Sequence, residues 1–180
     1  MDKSDRPTPR RAITRADIMP MADYAKIRRE HRRKLVDIKR KRRVHIGPHA
    51  SLYFENYATM LAQVQEMLFI ERGGEAQVDG ELAAYNPLIP QGSELIATMM
   101  IEIEDEGLRR RTLASLGHIE NMVHFKFAGH TVTGMPEADL DRTTEEGKTS
   151  AVHFLHFTFT PSQIAAFKTA GAEVVLAISH

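Results

Sequence analysis

The sequence predicts an α+β fold, in which a helical N-terminal half packs on a mixed, mainly antiparallel sheet in the C-terminal half. Apolar residues recur with helical spacing as far as about residue 85, and they follow the spacing of strands after about residue 94. At 180 residues, with 42% hydrophobic and 27% charged residues, the chain has the composition of a globular protein. We predict a disordered tail over residues 1–12 and a single α+β domain over residues 13–180.

The N-terminal half is predicted to begin with a short capped turn and a long charged helix. Thr14 is a candidate N-cap with Asp17 as its third residue, and Pro20 closes this turn. Helical spacing then continues from residue 21 to about residue 42. Its narrow apolar row consists of Tyr24, Ile27, His31, Leu35 and Ile38. So narrow a row is typical of a coiled-coil seam, and it predicts packing against a partner helix or a second copy of the chain.

A short strand and two further helices are predicted to complete this half. The strand covers residues 43–47 and ends in a Gly-Pro turn. One helix is predicted from about Ser51 to Glu71, where two glycines end it, and another from about residue 75 to residue 85. The prolines of "NPLIP" end the second of these helices.

The C-terminal half is predicted to consist mainly of strands. An apolar run predicts a central strand, paired alternating runs predict a hairpin, and two more runs predict an alternating and a buried strand. These are residues 94–103, 122–134, 150–159 and 172–179. Helices are predicted over residues 104–117 and 160–171, the second with Thr160 as its N-cap. The acidic segment 135–149 is predicted to be a mobile loop.

The net charge of zero hides a division of charge along the chain. Residues 1–43 contain 16 Lys or Arg and 6 Asp or Glu, whereas residues 44–180 contain 8 and 18. Residues 26–43 alone contain 11 basic and 2 acidic residues, a net charge of +9. Nucleic-acid binding is disfavoured because aromatic residues are not interleaved with these charges. A solvated face, or one that pairs with an acidic surface of this chain or of a neighbour, is favoured.

Several classes of protein are disfavoured by what the sequence lacks. It contains no cysteine, so this chain alone holds no disulfide, thiolate nucleophile or thiolate-ligated iron–sulfur cluster. No apolar run approaches the roughly 20 residues of a membrane span, and the first residues lack the apolar core of a secretory signal. We therefore expect a cytoplasmic protein. The common nucleotide-binding, hydrolase and metalloprotease motifs are absent, which leaves open whether the chain is an enzyme.

The most site-like residues in the sequence are His45 and His49, on either side of the Gly-Pro turn. We predict a strand-to-helix turn here, which places His49 beside the N-terminus of the helix from Ser51. One hypothesis is a Zn²⁺ or Fe²⁺ site formed by both histidines and a carboxylate such as Glu55. Alternatively, His49 helps the helix end to bind an anion, or both histidines are structural or merely exposed.

Four polar side chains on the helix predicted from Ser51 are candidate binding residues. Glu55, Gln63 and Glu66 fall on one strip beside its apolar arc, and Glu66 is the other candidate carboxylate for a metal. The two glutamates are three turns apart on that helix, roughly 16 Å, so they cannot share one metal. Gln65 projects into the apolar arc, where a buried amide needs hydrogen-bond partners. It either bonds within the core, to the backbone of a strand, or lines an internal pocket.

Six segments of the chain resemble, in the same order, a bacterial family called domain of unknown function 3501. They are "TRADIMPMADYAKIR", "KRKRRVHIGPHASLYFEN", "QVQEMLFIE", "YNPLIP", "ELIATMMIEIEDE" and "VVLAISH". The resemblance extends over residues 13–180 and implies no established activity. Members of that family tend to be encoded beside rubrerythrin-like diiron proteins and heterodisulfide-reductase-related iron–sulfur proteins. The resemblance therefore implies an accessory role in peroxide defence or electron transfer.

Three functions follow from these observations. The first is a cytoplasmic accessory or interaction protein, a homodimer or part of a complex with rubrerythrin-like or iron–sulfur redox proteins. The second is a metal-binding protein or metal-dependent enzyme that uses His45, His49 and a carboxylate. The third is nucleic-acid binding through the basic helix, which a steep salt dependence would reveal.

Overall fold

The computed structural model describes residues 9–137 and 148–180, and it confirms the predicted α+β class. The helices in the described residues are α1 (Met21–Arg40), α2 (Tyr57–Glu71), α3 (Glu75–Tyr85), α4 (Glu106–Ser115) and α5 (Pro161–Phe167). The strands are β1 (Arg43–Ile46), β2 (Ala50–Phe54), β3 (Glu94–Ile101), β4 (Val123–Phe127), β5 (His130–Thr133), β6 (Met135–Pro136), β7 (Val152–Thr158) and β8 (Val174–Ile178). As predicted, helices dominate the first half and strands the second.

The chain divides into two compact units, and each of them is formed by two separate stretches of chain. The first unit contains the chain as far as Ile38 and the stretch Asn56–Gln91, so it holds most of α1 and all of α2 and α3. The second unit contains Lys39–Glu55 and Gly92–His180, which include every described strand as well as α4 and α5.

The core of the first unit forms around α2. Asn56 caps this helix, because its side chain accepts a hydrogen bond from the backbone N–H of Thr59 while the Thr59 hydroxyl accepts one from the backbone of Asn56. Val64 and Leu68 are buried along α2. Buried residues from the rest of this unit are Ile13, Tyr24, Val78, Leu88 and Ile89.

The second unit contains two sheets in which every described strand pair is antiparallel. Their strand orders are β1-β2-β3-β7-β6 and β5-β4-β8. Side chains alternate between the two faces of a strand, so one face of each sheet can be apolar. Those apolar faces share one core, which includes Leu52, Met99, Leu155 and Phe157 from the larger sheet and Val123, Phe125, Phe127 and Val132 from the smaller one.

The prediction of a helix from Ser51 is wrong for its first six residues, because β2 and the capping residue of α2 occupy them. Backbone pairing explains the difference, since β2 lies between β1 and β3 and pairs with both. Leu52 on this strand is fully buried. Sheet hydrogen bonds on both sides override a local sequence that also fits a helix.

Three smaller predictions also differ from the structure. The sequence predicts a buried strand over residues 172–179, but β8 lies at the edge of its sheet, with Val174 and Val175 exposed. The predicted loop 135–149 begins with two residues that pair with β7 as β6. Most of that loop, like most of the predicted tail over residues 1–12, lies outside the described residues. Within the ranges that the structure covers, no helix has the length and apolar character needed to cross a membrane.

Candidate functional site

His45 and His49 lie on a β-hairpin, so the predicted strand-to-helix turn is wrong. β1 and β2 pair in antiparallel register with His45 opposite Ser51, and the turn between them contains Gly47 with a φ of 61°. Glycine suits this backbone conformation because it has no Cβ to clash. His49 precedes a strand and does not stand at a helix N-terminus, so the anion-binding hypothesis loses its basis.

Around His45, the hairpin carries a polar cluster that ties β1 and β2 to the end of β3. The hydroxyl of Ser51 lies 3.0 Å from Nδ1 of His45 and accepts a hydrogen bond from Arg43 over 3.1 Å. Arg43 also forms a 2.6 Å ion pair with Glu102, whose other oxygen accepts a 3.2 Å hydrogen bond from Tyr53. Burial raises the pKa of Glu102, but hydrogen bonds from Ser51 and Arg43 and the charge of Arg43 outweigh it, so the pKa is lowered overall.

Glu55 follows β2 and does not belong to α2, so it does not share a helix with Glu66. Its side chain is buried, and its Oε1 accepts a 2.7 Å hydrogen bond from the hydroxyl of Thr98. Its Oε2 is buried without a hydrogen-bond partner in the described chain. Across residues 9–137 and 148–180, no group of three or more His, Asp and Glu side chains could hold a metal ion. The positions of His45, His49 and Glu55 therefore give the metal hypothesis no support.

Gln65 is buried in α2, and its amide is fully engaged by one residue of the segment before α1. Oε1 accepts a 2.9 Å hydrogen bond from the backbone N–H of Met19, and Nε2 donates a 2.9 Å hydrogen bond to the Met19 carbonyl. The expected hydrogen bonding inside the core is confirmed, although the partner is a connecting segment and not a strand. Gln65 is not among the residues that line the cavity of about 330 Å³ beside Met19 and Leu68.

Of the remaining candidates on α2, Gln63 has no side-chain hydrogen bond within the described chain, whereas Glu66 joins α2 to α1. Gln63 is half-buried and its side chain hydrogen-bonds to no described residue. Glu66 accepts a 2.8 Å hydrogen bond from the hydroxyl of Tyr24 and a 3.0 Å hydrogen bond from Nε of Arg28, with which it also forms an ion pair. The guanidinium of Arg28 lies over the ring of Phe69, 4.7 Å from its centre.

This network perturbs the titration of both acidic members. Burial, followed by the hydrogen bond to Glu66, raises the pKa of Tyr24 to about 12. The hydrogen bond from Arg28 lowers the pKa of Glu66 below its ordinary value. The phenol is therefore neutral and the carboxylate charged at neutral pH, which keeps the charge-assisted hydrogen bonds in place. The first two turns of α1 are held on α2 by these contacts.

Beyond Arg28, α1 is largely uncovered. Tyr24 is the only buried residue among the 20 of this helix. In the predicted apolar row, His31 and Leu35 are half-buried, whereas Ile27 and Ile38 are each 39% exposed. Val36, which lies outside that row, is 64% exposed.

The charges of α1 are sorted into two sides. On one side of the helix the basic residues are paired with acids. Nζ of Lys26 lies 2.7 Å from a carboxylate oxygen of Asp23, and Nζ of Lys34 lies 2.7 Å from one of Glu30. On another side stand Arg29, Arg32, Arg33 and Val36, which we call the arginine strip. At about 100° per residue these four side chains fall within about 100° of arc, roughly opposite Tyr24. None of the three arginines forms a salt bridge with a residue that the structure describes, although Arg32 is attracted by Glu66 and Arg33 by Glu30.

The sequence indicated the basic segment and the apolar row, but it did not single out the arginine strip. Val36 was the available signal, because it is an apolar residue that does not fit the row through Leu35. Whether Leu35 or Val36 faces solvent depends on where α1 docks, which spacing alone does not give.

Comparison with known proteins gives a similar solved structure and a family. No curated protein matches the chain. A similar solved structure is described as the crystal structure of a novel protein of unknown function from Burkholderia pseudomallei K96243, at 1.90 Å resolution. It is 39% identical, with a TM-score of 0.85, and the match covers 94% of this chain and 88% of that chain. A family model matches residues 12–180, and the chain therefore belongs to the family described as "Protein of unknown function (DUF3501)".

Proposed function

We propose that this chain is an accessory protein that acts by binding another protein through α1. One observation carries the proposal: a helix of 20 residues buries a single side chain and leaves Val36 64% exposed beside three arginines that form no salt bridge in the described chain. Apolar side chains set among arginines are typical of protein interfaces, where arginine is enriched.

The cost of the arginine strip supports a partner that neutralises it. Arg29 lies three residues before Arg32 and four before Arg33, and residues at these spacings are neighbours on a helix. Each like-charged pair of this kind costs about 0.2–0.5 kcal/mol. A partner that brings carboxylates to the strip would remove this repulsion and add charge-assisted hydrogen bonds.

The strip is also held in place before any partner arrives. The hydrogen bonds of Tyr24 and Arg28 to Glu66 fix the start of α1, and the Gln65 amide fixes the segment before it at Met19. A surface that is already ordered loses less conformational entropy on binding. A binding role through α1 is therefore compatible with the way this unit is built.

The partners to test first are those that the family resemblance implies, namely rubrerythrin-like diiron proteins and iron–sulfur proteins of a peroxide-defence or electron-transfer system. A second copy of the chain is another, because the apolar row suggested a homo-oligomer. Since this chain has no cysteine, it would contribute binding and no thiolate ligands.

Site-specific photo-crosslinking in the native cell tests the proposal. A benzophenone amino acid at Val36 should give one defined adduct, with the partner identified by mass spectrometry. The same group at Arg110, an exposed position on α4, is the matched control and should not give that adduct. The proposal fails if position 36 yields no adduct, or if both positions yield the same set of proteins.

A further inference from the structure

Resting on the proposed function, we infer that the arginine strip binds an acidic amphipathic helix of another protein. The spacing of the strip is the first reason. Arg29, Arg32, Arg33 and Val36 stand at positions i, i+3, i+4 and i+7, which is the set of residues that one helix presents to another lying along it. The strip runs over eight residues, from Arg29 to Val36, and these seven steps rise roughly 10 Å along the helix axis, which is two turns.

The chemistry of the strip gives the second reason. Three arginines precede one exposed apolar side chain on the same side of α1, and no described carboxylate forms a salt bridge with them, although Glu66 attracts Arg32 and Glu30 attracts Arg33. Guanidinium is a planar fork that binds carboxylates through two parallel hydrogen bonds. A partner helix with leucine or isoleucine over Val36 and glutamates over the three arginines would satisfy both features.

Pairing of this strip with the same strip of a second copy is excluded by charge. Strip against strip would bring six guanidinium groups together with no carboxylate between them. Like charges placed opposite each other at an interface suppress that pairing. A homo-oligomer that uses the strip would therefore have to pair it with a different surface of the second copy.

Nucleic acid fits α1 less well than an acidic helix does. Asp23, Glu30 and Asp37 recur every seven residues on the side of α1 next to the strip, and phosphates on that side would face carboxylates. The aromatic ring on α1, that of Tyr24, is buried and hydrogen-bonded to Glu66, so it offers no stacking surface to bases. The partner that fits this surface of α1 is therefore a protein.

The probe for this inference is a fluorescein-labelled synthetic helix of about 20 residues, with leucines on one face and glutamates beside them. Binding to the full-length protein is measured by fluorescence anisotropy, against a matched peptide with lysine in place of glutamate and against a duplex DNA. We expect the acidic peptide to bind at least tenfold more tightly than the lysine peptide. Its affinity should fall as salt is raised, because exposed charges are screened.

Variants assign the binding to the strip. Arg29→Glu/Arg33→Glu and, separately, Val36→Asp should each weaken binding of the acidic peptide at least tenfold. The control Arg110→Glu/Arg111→Glu makes the same change in net charge on α4 and should change affinity less than twofold. The strip residues are exposed, so all variants should keep the melting temperature and circular dichroism of the parent protein. If Arg29→Glu/Arg33→Glu is destabilised, the variant Arg29→Gln/Arg33→Gln takes its place, because it removes both charges without adding an acid.

Three results would overturn the inference. The first is that the strip variants bind the acidic peptide as tightly as the parent protein does. The second is that the parent protein binds the lysine peptide more tightly than the acidic peptide. The third is that it binds the DNA more tightly than the acidic peptide and that the strip variants lose this DNA binding. Failure here is distinct from failure of the proposed function. If the crosslink at Val36 identifies a partner that the acidic peptide does not displace, the binding role stands and the acidic-helix chemistry is wrong.

Discussion

Replacing Gln65 by leucine tests whether this buried amide is structural. The change keeps the volume of the side chain close to that of glutamine but removes both hydrogen bonds to Met19. A typical hydrogen bond contributes about 0.5–1.5 kcal/mol, and a buried group left unsatisfied costs about 1–3 kcal/mol. Because Met19 is only half-buried and water can reach part of it, the lower end applies. We expect the free energy of unfolding to fall by about 2 kcal/mol.

Urea denaturation of Gln65→Leu and of the matched control Gln63→Leu measures this difference. Gln63 lies two residues earlier on α2, is half-buried and has no hydrogen-bond partner in the described chain, so its replacement should change stability by less than about 0.5 kcal/mol. Amide hydrogen exchange at Met19 should also accelerate in Gln65→Leu, because the N–H loses its acceptor. Equal stability of the two variants would refute the structural role, and loss of a ligand from a stable Gln65→Leu protein would favour a pocket.

The remaining predictions concern the α1 anchor, acid stability and metal binding. Tyr24→Phe removes the hydrogen bond to a charged Glu66 and should lower the free energy of unfolding by about 1.5 kcal/mol, measured by urea denaturation, whereas an unchanged value would show that this bond is not stabilising. Hydrogen bonding to the backbone of Thr14 is the largest cause that lowers the pKa of Asp17 to about 2. A carboxylate whose pKa is lower in the folded state than the value of 3.8 in the unfolded state stabilises the fold at a pH above 3.8. The stability that Asp17 contributes should therefore be lost as the pH falls from about 4 to about 2. Between these pH values the free energy of unfolding of the parent protein should fall by up to about 2 kcal/mol because of Asp17, and Asp17→Asn should lack this part of the fall. If both proteins lose stability identically over this pH range, Asp17 does not make this contribution. Protein purified without chelators should contain no stoichiometric Zn or Fe, and a metal near one per chain that disappears in His45→Ala/His49→Ala would restore the metal hypothesis.

The parts of the fold that were predictable from sequence have local signals. The helix from Pro161 begins at the predicted cap, because the Thr160 hydroxyl and the Gln163 side chain exchange hydrogen bonds with each other's backbone. The hairpin predicted over residues 122–134 is present, and its turn contains Gly129 at a φ of 77°, a conformation that glycine adopts without steric cost. In both cases the residues that decide the structure lie within a few positions of one another.

β2 could not be predicted in the same way, because its cause lies far along the sequence. The local sequence of residues 51–54 also fits the first turn of a helix, and the strand that pairs with them, β3, lies over 40 residues later. The signal that could have moved the helix start is Asn56, a good N-cap residue followed three positions later by Thr59. Missing that cap also led to the prediction of Glu55 on a helix, when it is a buried residue at the end of a strand.

The arginine strip was partly accessible from the sequence through the spacing of acids. On a helix, a basic side chain pairs with an acid three or four residues away. Lys26 and Lys34 have such acids and pair with them. Arg29 and Arg32 have no acid at either spacing in either direction, so any helix through them leaves both without an ion pair on that helix. The sequence cannot show whether another element supplies the missing carboxylate, as Glu66 of α2 does for Arg28. In the described chain Glu66 also attracts Arg32, but no carboxylate forms a salt bridge with a strip arginine, which is why an acidic partner is the occupant to test.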